Sequence, residues 1–408
     1  MAKRVSVPPQ STSERSHDLD ALTLRQRIQD CFATIQDPRS NRTQLHQLSD
    51  ILTIAILSTI AGGQGWEDME VYGESKQAWL STFLALPNGI PSADTFRRLF
   101  ERIHHQQFEQ CFEQWVRLLV EDLEVKLIAV DGKGVNGSYD RSIGRKALHL
   151  VSAWSSEHRL VLAQAKVSDK SNEITAVPAL LRLLDLQGAI VTLDAMGTQK
   201  QIAAQIHTAQ ADYVLALKAN HPTLFEQVEQ WFSAARNQQT LPPPMTHTTE
   251  AGHHRIDTRQ GWVIALEQLP LLHQSDEWLG LQSIAIVERT RQLWNKTTHE
   301  IQFYLSSLDS DDPRSTQVIR QHWSIENSQH WVLDVTFAED DCRVRSLHAP
   351  HNLALIRRFA LNALNRETSS KRSLKQKSKQ AAMNDDYMLT VLAAAFPKPD
   401  QNLEPSCQ

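Results

Sequence analysis

At Lys126 the hydrophobic period of this chain changes, and that change restricts what it can fold into. From Leu22 to about Leu123 apolar residues recur at steps of three and four, as in Phe108, Cys111, Phe112, Trp115 and Leu118, which predicts helices. From Lys126 the runs become short and β-like. Lys126-Leu-Ile-Ala-Val-Asp131 ends in an acid and is followed by Gly132-Lys133-Gly134. Ala147–Trp154 and Leu160–Val167 read as two more strands around the turn-like Ser155–His158, giving an antiparallel meander. Ser171-Asn172-Glu173 opens a predicted helix over Ile174–Leu186, which Gly188 ends. Ala189–Asp194, Thr198–Ala209 and Asp212–Leu217 then read as strand, helix and strand. The order β-β-β-α-β-α-β predicts an α/β core, residues 125–396, behind an α-helical N-terminal domain, residues 21–124.

The flanks are simpler. Residues 1–20 are polar and Pro/Ser-rich and read as a disordered tail, with a second tail at 397–408. Ile51–Gly63 is the longest apolar run and is too short to span a bilayer; no signal peptide precedes it, so a cytoplasmic protein is expected. Between about 246 and 309, Trp262–Leu266, Ser283–Val287 and Ile301–Leu305 predict a small β-rich insertion. Arg97, Arg98 and Arg102 are either DNA-facing or ordinary solvated helix charges, and Arg366–Lys379 is either a flexible basic linker or a phosphate-contacting segment. Asn352–Leu364 is expected to be a buried helix and Tyr387–Phe396 a short closing one.

Chemistry concentrates in three acids. Asp131 and Asp194 each terminate an apolar run. Carboxylates about 5 Å apart repel by roughly 3 kcal/mol at an effective dielectric near 20, so such a pair makes poor plain structure and good sense around a divalent cation. The third acid, Glu326, lies in Gln317–Asp340 on a helix predicted from about Pro313 to Trp331, with Asp312 as the capping residue. There His322, Glu326 and His330 share one face, and Trp323, Asn327 and Trp331 form the adjoining stripe. Each aspartate alone could equally cap its own turn. Zinc is a poorer reading: there is no HExxH, and His104-His105 and His253-His254 lack further ligands at metal spacing. The scattered Cys31, Cys111, Cys342 and Cys407 form no CxxC pair, and no P-loop or GxSxG elbow is present. With 47 acidic against 42 basic side chains, any nucleic-acid contact must come from local patches.

Val130-Asp131-Gly132-Lys133, Lys170-Ser171-Asn172-Glu173-Ile174, Leu193-Asp194-Ala195 and His322-Trp323-Ser324-Ile325-Glu326-Asn327 with His330–Asp334 resemble the H-repeat-associated group of bacterial insertion-sequence transposases. Asp37-Pro38-Arg39 and Pro87–Ser92 extend the likeness to nearly the whole chain. Glu250-Ala251-Gly252-His253 with Arg255 and Arg259 resembles that group's HGR segment, with His254 where Gly is expected and Ala93 where His is usual. The resemblance implies a ribonuclease-H-like mixed β-sheet flanked by helices, its first and fourth strands adjacent. It implies Asp131, Asp194 and Glu326 as catalytic and metal-holding residues with two Mg²⁺, for which Mn²⁺ can substitute. The implied partners are double-stranded DNA, as terminal inverted repeats and target, in a homodimer or larger synaptic oligomer in the bacterial nucleoid. Lys133, Arg255, Arg320, Trp323, Asn327, His330 and Trp331 are the expected DNA contacts. An inactive DNA-binding derivative, or a metal-dependent nuclease that does not join strands, would share these residues.

Overall fold

A computed structural model describes residues 21–139, 146–167, 173–252 and 255–396. The two tails, Lys170, Ser171, Asn172, His253, His254 and Cys407 lie outside the described residues. Six helices come first: α1 (Ala21–Phe32), α2 (Leu48–Ile60), α3 (Trp66–Ser75), α4 (Gln77–Leu80), α5 (Ala93–Arg102) and α6 (His105–Val120). Then follow β1 (Leu127–Val135), β2 (Leu148–Ser155), β3 (Leu160–Lys166), α7 (Glu173–Leu181), β4 (Ile190–Leu193), α8 (Lys200–Thr208), β5 (Asp212–Leu217) and α9 (Pro222–Asn237). The remainder is β6 (Thr246–Gly252), β7 (Arg255–Ala265), β8 (Ser283–Leu293), β9 (Lys296–Ser306), α10 (Arg314–His322), α11 (Trp331–Val335), α12 (Ala349–Arg366), α13 (Leu374–Met383) and α14 (Asp385–Ala395).

The strands form one mixed sheet in the order β3-β2-β1-β4-β5-β9-β8-β7-β6. β1 pairs antiparallel with β2 and parallel with β4, and β4 pairs parallel with β5, so the first and fourth strands are neighbours as expected. The parallel centre is buried: Leu127–Val130 and Ile190–Leu193 are covered throughout, which is why they read as apolar runs, with Thr192 the one polar residue. The last paired residues of the parallel ladder are Val130 and Leu193. Asp131 and Asp194 are therefore one step past it: Asp194 follows the end of β4, while Asp131 lies within β1, which runs on to Val135 against β2, so both stand at the carboxyl edge of the parallel ladder, where open α/β sheets place their ligands.

Two helices are buried on nearly all sides, α2 from Asp50 onward and α12 from Ala349 to Leu364, and they pack against each other. Phe359 of α12 packs on Trp115 at 4.5 Å and meets Phe112 edge-on at 5.0 Å, while the Trp115 indole donates to the Ala395 carbonyl at 2.8 Å. The N-terminal helices thus share one core with the C-terminal ones.

The structure bears out some expectations, such as the β-rich segment now seen as β6 to β9, and corrects others. The predicted β-rich insertion is a continuation of the main sheet, because β9 pairs directly with β5, and its strands β7 to β9 each run 11 residues. Their outer halves are polar on both faces, so alternation there is invisible. Their inner halves are covered on both faces: on one, Trp262 and Phe303 meet Phe232 and Phe225 of α9. α10 covers the opposite face at Gly261, where an added Cβ would lie 2.8 Å from Thr316 Cγ2. Arg366–Lys379 is not a free linker; Lys377 is buried in α13 and donates to the Leu364 carbonyl at 3.0 Å and to that of Glu367. Arg97 and Arg98 pair with Asp94, as solvated helix charges do. α7 ends at Leu181, short of the predicted Leu186.

Candidate active site

Four carboxylates gather where β4 stops and β1 runs on. Asp131 is in mid-strand on β1, its side chain only 15% exposed. Glu173, in the first turn of α7, leans over Gly132 so closely that an added Cβ there would overlap its carboxylate; glycine gives the approach its room. His149 Nε2 holds Glu173 Oε1 at 2.5 Å. Asp194 follows β4 and accepts the Gly197 N–H through Oδ1 at 3.1 Å.

Glu326 arrives from the other side. The helix predicted across it is present but irregular. α10 starts at Arg314 with Pro313 in the capping position, one place earlier than expected, so Asp312 is not the cap residue; it lies just before it and accepts the Arg314 N–H through Oδ1 at 2.8 Å. The chain then winds into a π turn over Glu326–His330 before α11 resumes. A π turn inserts one residue per turn and re-aims the side chains on it, a distortion found mostly at functional sites. The segment is tied to the sheet by His322 Nδ1 against Thr192 Oγ1 at 2.8 Å and by Trp154 Nε1 donating to Ser324 Oγ at 3.3 Å. Lys133 of β1 bridges to Asp334 at 2.7 Å and Asp340 at 3.3 Å beyond it.

His330 faces the acids. Its Nδ1 is 3.6 Å from Asp131 Oδ2 and 3.6 Å from Glu326 Oε2, and one ligand atom from each of the three residues lies within 4.8 Å of the others. Burial, aided by the charges of Lys133 and Arg358, holds the imidazole pKa down to about 4, so the ring is neutral at ordinary pH. Its Nε2 is buried without a hydrogen-bond partner among the described residues. With the proton on Nε2, a lone pair and two carboxylate oxygens converge on one point, and a cation is what satisfies three acceptors at once. Asp131 is itself pushed up to about 7, mainly by burial and then by Glu326, Asp194 and Glu173. Asp194 is raised by burial and by Glu173. Burial and mutual repulsion of the acids thus outweigh what opposes them, the Gly132 N–H at Asp131 and the Gly197 and Met196 N–H groups and the Lys218 charge at Asp194, and the donor set fits a divalent metal: oxygens for Mg²⁺ or Mn²⁺, plus an imidazole that favours the transition metal. Asp194 is within electrostatic reach of this group but not part of its tight triad.

The expected DNA contacts divide. Arg255, Arg320, Trp323 and Asn327 line one groove of about 870 Å³ beside Glu326. Trp331 is 57% exposed but is not among that groove's lining. Lys133 and His330, also expected at DNA, are buried, at 8% and 6% exposed, with Lys133 paired to Asp334 and Asp340. Sequence spacing also misleads at His104-His105. The fold brings His348 from 243 residues away, with its Nδ1 3.1 Å from that of His105, and packs His351 against the same ring at 4.9 Å. Glu173 is a site residue that sequence reasoning misses; its place in the Ser171-Asn172-Glu173 helix start is the available signal.

Residues 124–363 match the family described as the transposase DDE domain, and residues 29–116 match the DDE_Tnp_1-associated family. Two Escherichia coli proteins with transposase names are similar over most of their length. The H repeat-associated YhhI of strain K12 is 36% identical across 90% of this chain and 98% of its own, and YncI of O157:H7 is 37% identical across 90% and 95%. A piggyBac transposase synaptic complex with hairpin DNA overlays with a TM-score of 0.42 and 12% identity, covering 94% of this chain and 83% of that one. No helix among the described residues is long and apolar enough to cross a membrane.

Proposed function

The chain belongs to the DDE transposase family, and from that membership we propose that it cuts phosphodiester bonds at the ends of its own insertion sequence and joins the freed 3′ ends to target DNA. The observation that carries the proposal is the convergence of Asp131, Glu326 and His330 at a point that no cationic side chain among the described residues fills. Asp131, Asp194 and Glu326 are the catalytic acids and would hold Mg²⁺, two ions when DNA is bound, with Mn²⁺ able to replace it. Bound there, such ions activate the attacking oxygen and neutralise charge on the leaving one. His330 completes the set as a neutral nitrogen donor. Lys133, through Asp334 and Asp340, positions the Glu326 segment over β1 rather than touching DNA.

The strand order around β1 and β4 supports a ribonuclease-H-like core over 125–396, with the sheet extension at about 246–309 and the helical domain at 21–124. Arg255, Arg320, Trp323, Asn327 and Trp331 contact double-stranded DNA. Terminal repeat and target are held in a homodimer or larger synaptic oligomer, in a bacterial cytoplasm.

The test is a cleavage and strand-transfer assay on DNA carrying the element's own ends, with Mg²⁺ or Mn²⁺. Asp131→Asn, Asp194→Asn and Glu326→Gln should each abolish both steps while retaining DNA binding. Full activity in any of the three removes that residue from the site, and full activity in Asp131→Asn overturns the proposal. Cutting without joining would leave a nuclease, and binding without cutting an inactive derivative.

A further inference from the structure

The groove beside Glu326 is built from one face of the sheet extension. Side chains alternate along a strand, so Arg255, Asp257 and Arg259 of β7 point the same way. Arg289 and Arg291 of β8, which lie opposite Arg259 and Asp257 in the register, share that face. All four arginines line the groove, and Arg320 of α10 forms the facing wall with Trp323 and Asn327.

Asp257 is the centre of this arrangement. It is 3% exposed and accepts Arg291 Nε at 2.8 Å; Arg255 Nε lies at 3.1 Å and an Arg289 terminal nitrogen at 3.8 Å. One carboxylate cannot neutralise three guanidiniums, and even with Glu300 of β9, opposite Arg289 in the register, and Glu250 at the mouth, three acids face the five arginines Arg255, Arg259, Arg289, Arg291 and Arg320. The arrangement is also costly by itself: Arg259 and Arg289 are directly opposed across the ladder, where like charges destabilise a sheet, and Arg289 Nε is buried without a hydrogen-bond partner among the described residues. Across the mouth, Glu250 joins Arg320 at 2.5 Å to Arg259 at 3.4 Å, a half-exposed carboxylate standing where another anion could bridge the same two cations. Guanidinium forks match phosphate oxygens, and the exposed Trp323 offers an aromatic face at the end nearest Glu326.

We propose that this groove seats the phosphate backbone of the DNA strand entering the acidic site, with Asp257 holding Arg255, Arg289 and Arg291 in place for successive phosphates. The proposal rests on the reading of the chain as a DNA-acting enzyme, but not on its cutting DNA, so the two fail separately.

Binding of the full chain to a short labelled duplex is measured in chelator, where no cleavage occurs, across a series of salt concentrations. Arg289→Ala with Arg291→Ala should weaken binding about tenfold or more per arginine and flatten the slope of log affinity against log salt by about 0.9 for each phosphate left unneutralised. Glu250→Gln should tighten it. Unchanged affinity and slope in the double variant overturns the proposal. Should that variant not fold, wild-type protein modified with phenylglyoxal gives the answer: DNA should protect Arg255, Arg289 and Arg291 from the reagent. Absence of protection overturns the proposal, and displacement of the duplex by polyglutamate as readily as by unlabelled DNA would assign the groove to an acidic polypeptide instead. Loss of cleavage in Asp131→Asn with this binding intact would leave the groove assignment standing on its own.

Discussion

Without metal, Asp131→Asn should make the protein more stable at high pH. The carboxyl is raised to about 7 from its ordinary 3.8, with burial the largest cause. Unfolded, it titrates near that ordinary value. Below it the group is neutral in both states, and its folded-state advantage is fully present. Between about 4 and about 7 the unfolded chain releases the proton and the folded one keeps it, so stability falls by about 1.4 kcal/mol per pH unit. Above about 7 the cost levels off at about 4 kcal/mol, a ceiling that relaxation and entering water reduce. Asparagine keeps the shape and removes the charge. Urea titrations in chelator should therefore give nearly equal stability for the two proteins near pH 4 and a gap of a few kcal/mol at pH 8, in favour of the variant. Adding Mn²⁺ or Mg²⁺ at pH 8 should restore the wild type and leave the variant nearly unmoved, because binding to the native state alone stabilises it. If the two proteins remain equally stable at pH 8 in chelator, the carboxyl is not held among uncompensated negative charge, and the cation-site reading of Asp131 is wrong.

Three further outcomes follow from other parts of the fold. Glu339→Gln leaves Arg358 with no anion at a fully buried site, where burial opposes the carboxylate but Arg358 and Arg357 hold its pKa down; urea unfolding should show a loss of about 3–5 kcal/mol. Gly132→Ala displaces only the flexible end of Glu173, so stability should stay within about 1 kcal/mol. The midpoint of the pH-dependent stability assigned to Asp131 should drop below about 7 as one of the charges raising it moves off, and an unmoved midpoint would remove Glu173 from the site. Trp323→Ala touches a side chain 49% exposed, so melting should be unchanged while affinity for an unpaired strand end falls by about 1–3 kcal/mol, read by fluorescence titration.

The sequence by itself determined the local elements and the chemistry they carry. The apolar runs ending in Asp131 and Asp194 are central parallel strands, because strands covered on both faces must be apolar throughout. The apolar residues on all sides of Ile51–Ile60, broken only by Thr53, Ser58 and Thr59, and those of 353–364 likewise announced buried helices. Long-range geometry was not available to it. The π turn that aims His330 at Asp131 follows from how the segment is anchored to Thr192, Trp154 and Lys133, not from local helix propensity. The joining of β9 to β5, which made the supposed insertion part of the main sheet, depends on pairing across almost ninety residues. Charge showed the same division. Arg255 and Arg320 were expected at DNA from the sequence, but that Arg259, Arg289 and Arg291 join them around Asp257 and Glu250 was decided by strand register and α10, because like charges are brought together only by the backbone that carries them.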